Sequence, residues 1–402
     1  MAKANPRGLD PVTYPTARTD PFSPPESLRV LREETPVRRM IYPDGHLGWL
    51  VTGYAAARAI LADPRFSTRP ELLHPPLPQL VAVRESLLMP PAFFLRMDPP
   101  GHTRYRSLLT GQFTVRRMKA LEPRIEKITA DRLDEMEREG PPVDLVRSFA
   151  LPIPSLVICE LLGVPYEDRA MFQRASATLL SLSAPVDHKA SALLEVLGYL
   201  GDLVRRKRDE PADDLISGLV AGGELNDEEL AGVSLLLLIA GHETTANMLG
   251  LGTFALLCDP GQLAAVRDDP AVVDNAVEEL LRYLTIVHIG PTRAALRDVE
   301  IEGQTIRAGE VVTMALGAAN RDPARFDSPE TLDVTRPASG HLAFGHGIHQ
   351  CLGQQLARIE MRIAYPALLR RFPGLHLAVP AAEVPMRTDM TVYGVHRLPV
   401  AW

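Results

Sequence analysis

The sequence predicts a mainly helical protein with minor sheet, folded as one domain over residues 1–402. Three observations carry this expectation. An apolar helical pattern runs without a break from Asn226 to about Cys258. Short alternating runs, bounded by Gly turns, cluster between Arg293 and Met314. No Gly/Ser linker, low-complexity tract or fixed-period repeat divides the chain. Apolar residues make up 46% of the 402 and charged residues 23%, the balance of a soluble globular protein. A chain of this length buries a core large enough to enclose a cofactor.

Taken in order, residues 1–24 are Pro-rich and are expected to form an extended arm. A short helix is expected around Leu28 to Leu31. Val37 to Tyr42 and Trp49 to Thr52 read as strands about the turn Pro43-Asp44-Gly45, and 54–62 as helix. Residues 69–101 are expected to be irregular. They hold Pro70, Pro75, Pro76, Pro78, Pro90, Pro91, Pro99 and Pro100, yet also Leu87, Leu88, Met89, Phe93 and Phe94. A long apolar loop of that kind usually lines a site. Helical patterns follow from Thr103 to Val204, including two over 167–183 and 188–208 joined by a short turn.

The long helix has a capping box. Asn226 is a good N-cap, Glu229 stands at N3, and Asp227 and Glu228 suit the dipole. Its length is roughly 45–50 Å at 1.5 Å per residue, and Pro260-Gly261 is expected to end it. Another helix is expected over Ala271 to Tyr283. Strands are expected at Arg293 to Leu296, Val299 to Ile306 and Val311 to Met314. The last helix spans Leu352 to about Phe372, and Pro366 within it predicts a kink or break. The tail, Leu375 to Val400, reads as strands.

The net charge is −7, so no basic surplus argues for nucleic acid. The three cysteines, Cys159, Cys258 and Cys351, show no disulfide-like spacing and suit a reducing compartment. The N-terminus has no signal-like run, and the apolar run Val233 to Gly241 is too short to span a bilayer. A soluble, cytoplasmic monomer is expected, with no membrane partner.

Four patterns carry chemistry. Phe344-Gly345-His346-Gly347-Ile348-His349-Gln350-Cys351-Leu352-Gly353 places one cysteine just before a helix. A thiol there feels the positive end of the dipole, which predicts a lowered pKa and a thiolate metal ligand. Glycines let the backbone turn tightly and approach a flat cofactor. Ala240-Gly241-His242-Glu243-Thr244-Thr245 puts small residues, an acid and a hydroxyl mid-way along the long helix. It also begins like a zinc-protease His-Glu-any-any-His helix, but Ala246 stands where the second ligand is required. Glu279 and Arg282 share a helix face, and exposed they would contribute at most about 0.5 kcal/mol. From Gly101 to Leu121 the charges are Arg104, Arg106, Arg116, Arg117 and Lys119, with no acid.

The cysteine pattern resembles the heme-binding loop of the cytochrome P-450 family at every fixed position, and the resemblance extends over most of the chain. It implies that fold, as a single heme-enclosing domain, with heme b held by Cys351 as metal ligand. An anionic sulfur pushes electron density through iron and favours O–O cleavage. Phe344, Gly345 and Gly353 complete the loop (344–353). Ala240 to Thr244 resembles the family's oxygen-activation pattern on the long helix (226–258). There Ala240 and Gly241 would leave a groove for dioxygen, and Glu243 and Thr244 would manage protons. His102, Arg106, Arg293 and His349 match positions that bind the heme propionates. Glu279 and Arg282 match the Glu-any-any-Arg motif, with Arg336 as third partner.

By the same resemblance, 69–101 covers the substrate and 167–208 forms a lid. Pocket candidates are Leu87, Leu88, Phe93, Phe94, Leu236, Leu237, Ile286, Val287, His288, Ile289, Thr391 and Val392. The implied reaction inserts one atom of dioxygen into a largely apolar small molecule, by hydroxylation or epoxidation. Electrons would come from NAD(P)H through a ferredoxin reductase and a ferredoxin of 2Fe–2S or similar type, docking on the basic segment. A heme-thiolate peroxygenase or isomerase, or a non-catalytic heme sensor, remains an alternative.

Overall fold

The long helix Asp227–Leu257 forms the axis of the molecule. The structure is a computed structural model and describes residues 10–87 and 89–402. Between Leu230 and Leu256 every residue of this helix is buried except Ile239, Ala240, Gly241 and Thr244. A helix apolar all round belongs in a core. Helices Pro152–Leu162, Val186–Asp209 and Gln354–Arg371 pack along it. Its start is fixed as the sequence predicts. Asn226 Oδ1 accepts from Glu229 N at 2.9 Å, and Glu229 Oε2 accepts from Asn226 N at 3.0 Å. Glu229 also accepts from Arg104 at 2.6 Å and from the Tyr105 hydroxyl at 2.7 Å. The cap thereby ties helix Gly101–Thr110 to the axis.

The main sheet has five strands in the order Val37–Ile41, Leu47–Val51, Val311–Met314, Thr292–Ala295, Phe66–Ser67. Val37 pairs with Val51 across the predicted turn, and Arg293 pairs with Val312. Gly48 is required at its position: a Cβ there would collide with the Val311 carbonyl. Val299–Ile301 and Gln304–Ile306 form a separate hairpin about Glu302-Gly303.

Several expectations are corrected. Residues 69–101 are not uniformly irregular: Pro78–Ser86 is α-helical, with Pro78 in its first turn. The prolines lie at the two ends of the segment, and a proline-free run long enough for a helix separates them. The long helix ends at Leu257, before Pro260-Gly261 as expected, but Pro260 also opens a further helix, Pro260–Asp268, capped by the Asp259 side chain. Helix Leu215–Gly222, capped by Asp214, was not expected. The last helix runs unbroken from Gln354 to Arg371 through Pro366. Met361, Ala364, Tyr365, Leu368 and Leu369 are buried around the proline, and the Tyr365 hydroxyl donates to Met248 O at 2.5 Å. That burial outweighs the proline penalty of about 3 kcal/mol.

The tail is mostly irregular. Only His376–Leu377 and Pro399–Ala401 are strands, joined with Val143–Asp144. Part of the N-terminal arm, expected to be extended, is pinned on the core: Val12 bridges Met40, and Tyr14 is buried against Gly290 and His288. Residues 1–9 and the pocket candidate Leu88 lie outside the described residues.

Candidate functional site

The Cys351 loop is shaped by its own backbone. Cys351 N donates to Phe344 O at 2.9 Å, and Gln350 N to Gly347 O at 3.0 Å. Gly345 and Gly347 have φ of 69° and 74°, in the left-handed region that favours glycine. A Cβ on Gly347 would strike the Leu61 carbonyl, so the loop seats directly on the end of helix Tyr54–Ala62. Helix Gln354–Arg371 begins three residues after the cysteine, and the Gly353 and Gln354 N–H groups donate to its sulfur.

The predicted fall in the thiol pKa is opposed by burial. Burial pushes the Cys351 thiol up, against the Gly353 N–H, the charges of Arg106 and Arg358, and the Gln354 N–H. Desolvation penalises the thiolate more than the helix terminus favours it. A metal cation supplies the missing term, because a coordinating thiol is deprotonated outright.

Beside the loop lies a basic cluster in which His102 and Arg293 are buried, Arg106 and His349 half-buried and Arg96 exposed. The His102 and His349 rings are 4.3 Å apart. His102 is bonded to the Ile348 backbone, and its Nε2 is buried with no partner among the described residues. Burial, then Arg293 and His102, lower His349 to about 3. Burial, then Arg96, lower Arg293 to about 10. The acid facing them, Asp98, is already engaged by Ser67 Oγ at 2.5 Å and Thr68 N at 2.9 Å. A cluster this cationic calls for buried anions. The two propionates of heme b meet that need, so the residues present fit the cofactor. Arg106 has a second partner, donating to Gln350 O at 2.7 Å. Arg96 was missed by sequence reasoning. The available signal was a guanidinium within the apolar run Phe93 to Met97.

On the long helix, Ala240 is exposed in an otherwise buried stretch, and Thr244 lies one turn on, on the same face. Thr244 Oγ1 donates back to Ala240 O at 2.7 Å. Gly241 does not form the expected groove. A Cβ there would meet the Ile158 side chain at 2.7 Å, so it serves the crossing of helix Pro152–Leu162. Glu243 is buried rather than open to bulk solvent. Its Oε2 accepts from Arg387 at 3.1 Å and lies 3.5 Å from Asn247 Nδ2. His242 is buried, its Nδ1 bonded to Leu238 O at 2.6 Å, and burial lowers its pKa. Arg387, in the tail, had no sequence signal.

Glu279 and Arg282 form a fully buried pair, at 2.7 and 2.8 Å, not an exposed one. Arg336 Nε joins Glu279 at 3.1 Å. Arg282 also donates to the Asn320 and Pro329 carbonyls, each at 2.9 Å, which holds the irregular stretch before the cysteine loop.

The pocket candidates divide. Leu236 shares a face with Ala240 and Thr244; Leu236 and Leu237 are buried. Val287 bridges Val392, and Tyr393 N donates to Ile286 O at 2.8 Å, which brings 286–289 and 391–392 together. Ile289 packs on the core near Tyr14. Thr391 N donates to Leu180 O at 2.9 Å. His288 stacks on Tyr393, and both ring nitrogens lack partners among the described residues. Leu87 is half-buried against the core. Phe93, with Met89, Arg96 and Met97, lines a cavity of about 640 Å³. Phe94 turns its ring to His102, toward the basic cluster.

The basic segment is smaller than expected. Arg104 pairs with Glu229 and Arg106 serves the cysteine loop. Arg116, Arg117 and Lys119 remain exposed on helix Val115–Ala120, which packs against Gln354–Arg371. Among the described residues no single helix is long and apolar enough to cross a membrane.

A half-buried thiol under a helix start, a cationic cluster beside it and an open Ala–Thr face on a central helix define a heme-thiolate enzyme, and the chain belongs to the cytochrome P-450 family of monooxygenases, which bind heme b. The family's model, Cytochrome P-450, matches residues 202–390. Cytochrome P-450 105C1 of a Streptomyces species is 54% identical over 393 residues, covering 98% of this chain and 99% of that protein. Pentalenic acid synthase of Streptomyces avermitilis is 46% identical, with 98% of each chain covered. The crystal structure of CYP105P1 in complex with filipin I superposes with a TM-score of 0.91. It is 46% identical and covers 98% of this chain and 99% of its own.

Proposed function

We propose that this monooxygenase hydroxylates or epoxidises a largely apolar small organic molecule, with dioxygen as oxidant. The electrons come from NAD(P)H through a ferredoxin reductase and a ferredoxin. The balance is substrate plus O2, two electrons and two protons, giving oxygenated substrate and one water. The observation that carries this reading is the exposed Ala240–Thr244 face with the buried Glu243 beside it. When bound, the heme supplies the dioxygen and redox chemistry.

The chain's own residues do the rest. Cys351 holds the iron, with its sulfur supported by the Gly353 and Gln354 N–H groups. His102, Arg106, Arg293 and His349, joined by Arg96, hold the propionates. Phe344, Gly345 and Gly353 shape the loop. Thr244 holds a hydroxyl at the open face, and Glu243 passes protons toward it. Leu236, Val287, Ile289 and Val392 exclude water and orient an apolar substrate. Relatives named for pentalenic acid synthesis and bound to filipin I support natural-product tailoring. Arg116, Arg117 and Lys119 offer an acidic ferredoxin a docking face. Three unpaired cysteines suit a reducing cytoplasm, where the protein works as a monomer.

Thr244→Ala tests the oxygen-activation reading. Heme content and substrate affinity should stay near the parent values, while reducing equivalents are diverted from product to hydrogen peroxide. Unchanged coupling would remove Thr244 from the mechanism and favour a heme-thiolate enzyme that does not activate dioxygen.

A further inference from the structure

The tail segment 386–395 folds back on itself as a short hairpin. Met386 bridges Val395, and Arg387 N donates to Gly394 O at 2.9 Å. Both members of that pair sit on the same turn of the long helix. Arg387 Nη2 reaches Glu243 Oε2 at 3.1 Å, with side chains only 12% and 5% exposed. A Cβ on Gly394 would collide with the Asn247 side chain, so the backbone lies directly against it. Asn247 in turn donates to the Glu243 carbonyl at 2.7 Å.

The other end of the hairpin touches the turn between helices Arg169–Leu180 and Val186–Asp209. Leu182 N donates to Asp389 O at 2.7 Å, and Thr391 N to Leu180 O at 2.9 Å. Ser181 bridges Met390, and the buried Lys189 donates to the Ser181 carbonyl. One hairpin therefore spans from that turn to the Glu243 carboxylate.

We propose that Arg387 is a positioning residue for Glu243, and that the hairpin carrying it transmits the position of the 181–185 turn to the acid. This rests on the reading of Glu243 as the proton-handling acid. Among the described residues, the charged or titratable groups facing Glu243 are His242 on its own helix and Arg387 on the tail. Arg387 is the cation that pairs with the buried carboxylate and aims it. When the turn moves, the hairpin moves, and the ion pair lengthens.

The test uses the heme-loaded enzyme with a ferredoxin and its reductase, in four forms: Arg387→Lys, Arg387→Gln, Glu243→Gln and the double Arg387→Gln/Glu243→Gln. Arg387→Gln should keep the CO-difference band and substrate affinity and release several-fold more peroxide per electron pair. Its pH–coupling profile should differ from the parent's, which a merely structural role would not change. Arg387→Lys should restore most of the coupling. Arg387→Gln should also quicken backbone hydrogen exchange at Leu182 and Thr391, a readout independent of turnover. In the Glu243→Gln background the second substitution should change neither coupling nor pH profile.

If Glu243→Gln alters coupling and pH profile while Arg387→Gln leaves both at parent values, the inference fails alone. If Glu243→Gln itself changes nothing, the underlying reading of Glu243 fails. If Arg387→Gln does not retain heme, the exchange and coupling of Arg387→Lys decide. Partly reduced coupling with quickened exchange in that variant supports the proposal, fully parent-like coupling and exchange overturn it, and parent-like exchange with lost coupling overturns the link to the turn.

Discussion

Replacing Glu279 by Ala should remove the ionic anchor beneath the cysteine loop. The carboxylate is fully buried and accepts from Arg282 at 2.7 and 2.8 Å, from Arg336 at 3.1 Å and from Asp333 N at 3.0 Å. Its loss leaves the Arg282 guanidinium buried with backbone carbonyls as its remaining partners. Breaking a buried pair by deleting one member costs about 3–5 kcal/mol. Against a total stability of roughly 5–15 kcal/mol, that is about a fifth of the total or more. Arg336→Ala should cost less, roughly 1–3 kcal/mol, because Glu279 keeps Arg282. Replacing both partners, Glu279→Ala with Arg282→Met, should recover part of the loss, since no charge is left unpaired. Urea unfolding followed by far-UV circular dichroism and by heme absorbance reads all three. The midpoint should fall with the slope unchanged, and heme should leave first. A shift below about 1 kcal/mol for Glu279→Ala would match an exposed pair and refute the anchoring role.

Two further outcomes follow from the geometry. Charge reversal at Arg116 and Arg117 should slow electron transfer from ferredoxin, most strongly at low salt, with substrate titrations unchanged; an unaltered rate removes that helix from docking. His288, lowered to about 4 by burial and Arg18, takes up a proton in the unfolded chain near its ordinary value but not yet in the folded one. Its contribution to stability is therefore complete above about pH 6.5 and is lost as pH falls toward 4, at up to about 1.4 kcal/mol per pH unit. His288→Phe should flatten that part of the stability–pH curve, and an unchanged slope would contradict the assignment.

The elements legible in the sequence are those whose causes are local. The Asn226–Glu229 capping box, the turn at Pro43-Asp44-Gly45 and the Glu302-Gly303 hairpin depend on neighbours within a few residues. The Cys351 loop is legible for the same reason, since its glycines and cysteine form one contiguous pattern. The resemblance supplied what spacing alone does not, such as Arg336 as third partner of Glu279. Residues joined only by folding were not legible. Arg387 lies 144 positions from Glu243, and Arg96 joins a cluster drawn from four separate elements. The Cys351 thiol was misjudged because helix-end electrostatics is local whereas burial is a property of the whole fold. Gly241 was misread similarly: its need for no side chain comes from Ile158 on a crossing helix. The tail lacks regular strands because its backbone groups bond to one another, to 286–287 and to 180–182.

The central claim is that Cys351, as thiolate, would hold the heme iron. The reduced, CO-bound difference spectrum of the purified holoprotein, compared with Cys351→His, tests it most directly. The parent should show the red-shifted Soret band of thiolate ligation, and Cys351→His should lose it while still binding heme. A band that survives the substitution, or that is absent from the parent, would contradict the account.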